Sequence, residues 1–459
     1  MTQGTLVRLA VTLLTAGLGA VSPVAMAETT AVQSSTATAF PTSRFLTGDW
    51  GGARDRWQQQ GVSFNLNYTT ESMANVAGGQ IRGGTYADNI ALDFTFDLQR
   101  LLGIPNTTLL VKASKRDGTS VSSRFVAPSL GGNTFTVQEL YGGQNVKLVN
   151  VQFTTKLLDD RLNLAYGRLV ANDDFLSTPL NCQFVNNSFC GSPIAIFLQN
   201  PFTFTAYPLA TWGVRARYDT RSRVWTLQAA VYDGDPELKS GNPSSLNHNR
   251  HGTSWGIGDN GATLAGEVHY HVNRDASQSL PGTYKVGGYY LTGRYLDLSR
   301  DLGRYQALSR ELGETISPTV TGDGMLWLQA DQMLYRESPG SNRGLTGFGA
   351  LVFSLTEKAN KMSQYFNAGL VYQGLFSGRP LDKTALGVTT GWYSRAYNQG
   401  LRAAGDPTRS QETVIELNHL FALGRGIGVQ PDLQYIIRPT GTGTVSNALA
   451  IGARLSVTF

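Results

Sequence analysis

Alternation with a period of two restricts the fold of this chain more than any other feature. In "GVSFNLNYTT", Val62, Phe64, Leu66 and Tyr68 fall on one face, and Ser63, Asn65, Asn67 and Thr69 on the other. "NIALDFTFDL" sets Ile90, Leu92, Phe94, Phe96 and Leu98 against Ala91, Asp93, Thr95 and Asp97. "TWGVRARYDT" sets Trp212, Val214, Ala216 and Tyr218 against Gly213, Arg215 and Arg217. Successive side chains of a strand point to opposite faces, so each stretch is a strand with one apolar and one polar side. The pattern recurs in "RLNLAYG", "VWTLQAAVY", "LAGEVHYHV", "YFNAGLVYQ" and "GVQPDLQYII". It recurs again in "NALAIGARLSVTF", which ends on Phe459. "TLLVKAS", "MLWLQADQML" and "TGFGALVFS" are strand-like but ambiguous in phase.

Sixteen strands result, beginning near residues 62, 87, 107, 148, 161, 210, 224, 263, 284, 325, 346, 365, 384, 412, 428 and 447. Short connections such as "LGIPN", "LLDD" and "DTRSR" alternate with long ones near 118–147, 170–209, 233–261, 292–322 and 393–410. An even number of such strands, short turns at one end and long loops at the other predict an all-β fold, a transmembrane antiparallel β-barrel. The connection near 357–363 is short for its side, and "NRDASQSLPG" is long for a turn. A soluble sandwich or propeller also alternates, with its apolar face against a second sheet. Aromatic residues at the ends of the apolar combs (Tyr68, Trp212, Tyr218, Trp225, Tyr270, Tyr290, Tyr372, Trp392, Tyr435) favour the barrel, because they suit a membrane interface. The strand ending at Phe459 must then pair with the first, since an open edge in hydrocarbon leaves backbone groups unsatisfied. By analogy with other outer-membrane barrels, that strand is expected to be read by the barrel-assembly machinery.

At the other end, Arg8, the apolar run Leu9 to Val21 and the small residues Ala25 and Ala27 describe a secretory signal peptide over 1–27. Residues 28–60 are expected to form a polar leader and, in "GDWGGARDRWQQQG", a turn and short periplasmic helix. Residues 61–459 form the barrel. Beyond the N-terminus no uncharged apolar run reaches 18 residues, so helical spans are excluded. Charged residues are 15% of the chain, the net charge is +5, and Lys and Arg are dispersed, which argues against nucleic acid as a partner. In an exported chain Cys182 and Cys190 are expected to form a disulfide, with no His or further Cys nearby to suggest a metal.

"FLTGDWGGARDRWQQQGVSFNLNYTTESMANVAGG" resembles the N-terminal block of the carbohydrate-selective porins (OprB type) of Gram-negative outer membranes. So do "GRLVANDDF", the cysteine segment, "ADQMLYRE" and "VQPDLQYIIRP", in the family's order, over nearly all of 43–459. The resemblance implies a sixteen-stranded barrel whose extracellular loops fold inward to an arginine-lined constriction. It implies passage of glucose and other small sugars by facilitated diffusion, with no enzymatic activity and no cofactor. Outer-membrane lipid and lipopolysaccharide would surround it, and a homo-oligomer stays open.

The chemistry follows from the residues as well. A sugar presents hydroxyls that both donate and accept, and Arg offers five fixed donors. The polar faces supply Arg215, Arg217, Lys112 and Arg454, with Asp93, Asp331, Glu267, Glu416, Asp432, Gln430 and Gln434 as acceptors. Loops folding inward would add Arg82, Arg124, Asp173 and Asp174. Arg168 breaks the outward phase of Leu162, Leu164 and Tyr166, so it is expected at the rim or turned inward by a bulge. A general or anion-selective pore is the competing function, and an outer-membrane hydrolase the enzymatic one. "GTSWG" has the G-x-S-x-G spacing without the following helix, and "GRGIG" lacks the helix of a dinucleotide site. His269 and His271 share one face without a third metal ligand.

Overall fold

All sixteen alternating stretches are strands in the computed structural model, which describes residues 45–190, 198, 203–239, 247–274 and 279–459. The expected signal peptide (1–27) and the leader up to residue 44 lie outside the described residues. The strands are β1 (Val62–Gly78), β2 (Gly83–Asp97), β3 (Thr107–Gly118), β4 (Val146–Leu157), β5 (Leu162–Leu169), β6 (Thr211–Asp219), β7 (Trp225–Asp233) and β8 (Ala262–Val272). They continue with β9 (Gly282–Leu296), β10 (Thr319–Arg336), β11 (Gly344–Ser354), β12 (Met362–Gln373), β13 (Lys383–Tyr393), β14 (Gln411–Gly424), β15 (Ile427–Ile437) and β16 (Ala448–Thr458). Each is antiparallel to its sequence neighbours, and β1 pairs with β16, so the sheet closes on itself.

Two strands start well before their alternation does. β2 begins at Gly83 and β10 at Thr319, against the expected 87 and 325. Ladder hydrogen bonds need no apolar side chains, so a strand continues past the apolar band. In β10 the register also shifts between Thr321 and Asp323, at Gly322 with φ 78°, and the bulge breaks the phase.

The outward face is a band of exposed apolar residues that includes Leu264, Val286, Leu326, Leu351, Leu386 and Leu417. Trp225, Tyr270, Tyr290, Trp392 and Tyr435 are exposed with it, and the rings of Trp225 and Tyr270 lie 4.7 Å apart. The packed core lies inside. Phe135, Phe175, Phe184, Phe189 and Phe204 belong to the long connections, and all are fully buried. Phe204 stacks 5.0 Å from Tyr289 and meets Trp327 at 6.2 Å, while Phe175 meets Tyr232 edge-on at 6.4 Å. Loop residues thus supply apolar contacts that inward-facing wall residues complete.

A short N-terminal segment binds the seam where β1 meets β16. Here "GDWGGARDRW" turns through left-handed Gly51 and Gly52 into helix α1 (Ala53–Gln59). Arg54, nearly buried, donates from Nη2 to the main-chain oxygen of Phe459 and from Nη1 to Phe64 O at 3.4 Å. Its guanidinium lies over the rings of Phe45, Phe64 and Trp50, at 3.9, 4.3 and 4.7 Å. Leu46 N donates to Thr458 O at 2.7 Å, and Phe459 N to Leu66 O at 2.9 Å. The segment therefore does more than cap the barrel. It ties the first strand to the last.

Arg54→Ala removes a charged donor from both seam strands, at a cost of about 1.5–3 kcal/mol per hydrogen bond lost. The folded barrel should convert to the slow-migrating form on denaturing gels at a lower temperature than wild type. An unchanged conversion temperature would deny Arg54 this role.

Candidate functional site

Two loops fold into the lumen, L2 (residues 119–145) and L3, of which residues 170–190, 198 and 203–210 are described. Four glutamates of the wall receive them. Each is at most 2% exposed, and each lies on the inward face of its strand, where its carboxyl oxygens accept hydrogen bonds. Glu71 of β1 accepts from Leu140 N at 3.1 Å. Glu412 of β14 accepts from Thr134 N at 3.0 Å, Phe135 N at 2.7 Å, Asn133 Nδ2 at 2.9 Å and also Thr440 N. Glu416 accepts from Val185 N at 2.7 Å and Asn186 N at 3.0 Å. Glu267 of β8 accepts from Leu176 N at 2.9 Å, with Gln228 Nε2, His269 Nε2 and Trp327 Nε1 filling its other positions at 2.9, 2.6 and 2.6 Å.

Neighbouring wall residues bind the same loops. Arg454 of β16 pairs with Glu71 at 2.6 Å and with Glu139 of L2 at 3.4 Å, and donates to Phe184 O at 3.0 Å. Gln430 donates to Gln183 O at 2.7 Å. Gln434 donates to Val137 O and Asp432 Oδ1, both at 2.9 Å, and accepts from Asn186 Nδ2 at 2.9 Å. Cys182 and Cys190 are disulfide-bonded, closing the small loop that carries Phe184 and Phe189. Those stacked rings sit over Gly387, where an added Cβ would come within 2.6 Å of Phe184.

Glu267, Glu416, Asp432, Gln430, Gln434 and Arg454 therefore point into the barrel, as their alternation requires, but lie buried beneath the loops. None is more than 7% exposed, and all but Asp432 hydrogen-bond directly to L2 or L3. That correction has a physical reason: strand phase tells which way a side chain points, and says nothing of what covers it.

The part of the lumen the loops leave open lies along β1 to β6, where inward Asn65, Asn67, Asp93, Lys112, Gln152 and Asn163 remain half-exposed. Lys112 Nζ is 3.8 Å from Asp93. Across from them, L3 presents Asp173 and Asp174 on a single-turn helix, Ala171–Asp174. Asp174 pairs with Arg215 at 2.9 Å, and Arg215 also donates to Asn163 Oδ1 at 2.7 Å. Arg217, two places on, is freer: its Nε lies 3.9 Å from Asp219, with about a third of its side chain exposed. Tyr207 of L3 is half-exposed, with Arg116 at 5.2 Å and Lys112 at 5.8 Å from its ring centre. Arg116 reaches Glu139 at 4.0 Å. Cations, carboxylates and one aromatic face thus meet on this half-exposed part of the wall.

Enclosure by the barrel raises the Asp173 carboxyl to about 6, although it faces lumen water; Lys112 draws it back down, and Asp174 and Asp93 push it further up.

The remaining expected residues lie elsewhere. Arg168 stays in the outward phase and is not part of the constriction. It is 1% exposed because residues 249–255 of the connection after β7 (L4) fold over it. Arg168 donates to Gly252 O and to Ala210 O, and the ring of Trp255 lies 5.8 Å away. Arg82 and Arg124 are exposed in the loops after β1 and β3, and neither forms an ion pair among the described residues. Asp331 faces the lumen near Lys285 and Thr178, beneath L3. Both rings of the His pair are engaged, His269 by Glu267 and His271 by Thr226 and Thr283, each at 3.0 Å.

Arg116, Tyr207, Glu71 and Glu412 were not anticipated from sequence. Arg116 continues the phase of Lys112 and Ser114, and Glu71 that of Asn65, Asn67 and Thr69, so extending each comb by one turn of the pleat would have reached them. Tyr207 lies in an aperiodic loop and carries no such signal.

The profile of the carbohydrate-selective porin, OprB family, matches residues 82–459. Porin B of Pseudomonas aeruginosa is 30% identical over 437 residues, covering 91% of this chain and 92% of that protein. The high-pH structure of Pseudomonas putida OprB superposes with a TM-score of 0.80 at 27% identity, over 92% of this chain and all of that one. The low-pH structure of the same protein gives 0.55 at 20% identity, over 91% and 99%, and supports the fold alone.

With its carboxyl near 6, Asp173 is mostly ionised at pH 7.5 and mostly neutral at pH 5. Lowering the pH through that window removes negative charge from the opening, so reversal potentials across a salt gradient should shift toward anion preference. Asp173→Asn should already show the low-pH value at pH 7.5 and lose most of the shift. A full shift in that variant would assign the titration to another group.

Proposed function

The chain belongs to the carbohydrate-selective porin family, and we propose that it carries small neutral sugars such as glucose through the opening between L2, L3 and the β1–β6 wall. It is a porin of the Gram-negative outer membrane and not an enzyme. One observation supports the finer reading above the rest: Lys112 and Arg116 lie against the half-exposed ring of Tyr207, and Lys112 has the carboxylates of Asp93 and Asp173 near it. Sugar hydroxyls need donors and acceptors side by side, and the apolar face of a pyranose suits an aromatic ring. Lys112 and Arg217 supply donors that keep some exposure, and Asp93 and Asp173 supply acceptors. Arg215 is different, because its guanidinium is taken up by Asp174 and Asn163. It orients an acceptor of the opening and offers the solute little.

Because each cation has a carboxylate beside it, the opening has little net field to commit it to one ion. Hydrogen bonds to sugar replace hydrogen bonds to water, so the net gain per contact is small and affinity is expected near millimolar, on the order of −4 kcal/mol. Weak binding suits a pore, since a tightly held solute would block it. Residues 1–27 serve as the export signal in this reading, and β16 as the segment recognised during barrel assembly.

Planar-bilayer conductance titrated with glucose tests the proposal. Wild type should show saturable block. Tyr207→Ala and the Lys112→Ala, Arg217→Ala pair should stay folded, conduct ions at least as well, and need about tenfold more glucose for half-block, the loss of about one charged hydrogen bond. Wild-type current that ignores high glucose would make this a general diffusion pore.

A further inference from the structure

We infer that Glu267 and Glu416 are positioning residues for the sugar path: they pin the two ends of the L3 segment Leu176–Asn186, and so set where Asp173, Asp174 and the disulfide loop stand in the lumen. The inference rests on the reading of the opening as a sugar path. The segment runs from β8, where Glu267 takes Leu176 N, to β14, where Glu416 takes Val185 N and Asn186 N. Between these ends its carbonyls receive Lys285 Nζ at Ser177, Gln430 Nε2 at Gln183 and Arg454 at Phe184, so it is a beam held along its length.

The Glu267 end sits three residues from Asp173. Leu176 has φ 50°, a left-handed conformation that a leucine adopts only against a cost of order 1 kcal/mol. It is fully buried there. The hydrogen bond from its N–H to Glu267 therefore holds a turn that the chain would not otherwise choose, and that turn aims α-helical Ala171–Asp174 at the opening. Relaxing it moves Asp173 and Asp174 without disturbing a wall strand.

Charge, and not shape alone, does this holding. Glu267 Oε1 accepts from Gln228 and His269, and Oε2 from Leu176 and Trp327. Four donors converge on two oxygens. In Glu267→Gln, the side chain keeps its volume but sets an NH2 group against two of those donors. Glu416 has the same logic on a smaller scale, with Val185 N and Asn418 Nδ2 on Oε1 and Asn186 N on Oε2. A residue that merely filled space would tolerate the amide.

The test compares wild type, Glu267→Gln and Glu416→Gln as full-length barrels shown to be folded by heat-modifiable migration. Ion conductance without sugar and the half-blocking glucose concentration are both read. Conductance should rise in each variant. In Glu267→Gln the half-blocking concentration should increase about tenfold, as loss of one charge-assisted hydrogen bond would give. Val185→Pro removes one donor to Glu416 from the loop side and leaves every wall residue in place, so it decides the matter where a wall variant fails to fold. Wild-type conductance and half-block in folded variants would overturn the inference. Raised conductance in variants of a protein whose wild type shows no glucose block would keep the pinned beam and dismiss the sugar path.

Discussion

Hydrocarbon cannot hydrogen-bond, and the rest of this structure depends on that constraint. Every N–H and C=O that crosses the bilayer needs a partner in the chain, at several kcal/mol for each one left alone. Sixteen strands meet the demand only as a closed ring, so the last must find the first. Closure in turn fixes which side of each strand faces lipid. The apolar side goes outward, the reverse of a soluble sandwich, and whatever packs must pack inside. Phe135, Phe175, Phe184 and Phe204 show the result: the protein's aromatic core belongs to loops that would lie on the surface of a water-soluble protein.

A core made of loops has a second problem. Loop backbone taken out of water brings N–H groups with no ladder to join, and these need acceptors. The barrel wall provides them as carboxylates. Glu71, Glu267, Glu412 and Glu416 are buried carboxyl groups, which alone would be costly, and loop amides are buried donors, which alone would also be costly. Each removes the other's penalty. The loops' positions follow from where these contacts fall: L2 and L3 are held to β1, β8, β14 and β16, while Asn65, Asn67, Asp93, Lys112, Gln152 and Asn163 of β1 to β5 stay half-exposed.

The barrel was legible in the sequence because a membrane imposes its period on every strand. Val62, Phe64 and Leu66 announce their orientation without any long-range information. The seam was legible for the same reason. The site was legible only in direction: the alternation of Trp212, Val214 and Ala216 turns Arg215 and Arg217 inward, yet cannot tell that Asp174 occupies one and leaves the other freer. Glu416 was correctly turned inward but lies under Val185 and Asn186, residues more than two hundred positions earlier. Tyr207 had no periodic neighbours to place it. What the sequence hides is the aperiodic chain, whose path is set by tertiary partners and by no repeat of its own.

Arg168 carries a consequence for the outer surface. It sits in the lipid-facing phase at the end of β5, where an uncovered arginine costs about 0–1 kcal/mol near the interface and more toward mid-depth, and it is sheltered by Gly252 and Trp255 of L4. Trp212 anchors that stretch through Trp255, with the rings 5.6 Å apart and a hydrogen bond of 3.2 Å. Surface loops of this kind usually drift freely in length and composition. This stretch is not free to drift: a deletion there would bare a cation to the outer leaflet. Its length and composition are tied to the cation it covers, and through that cation to the bilayer.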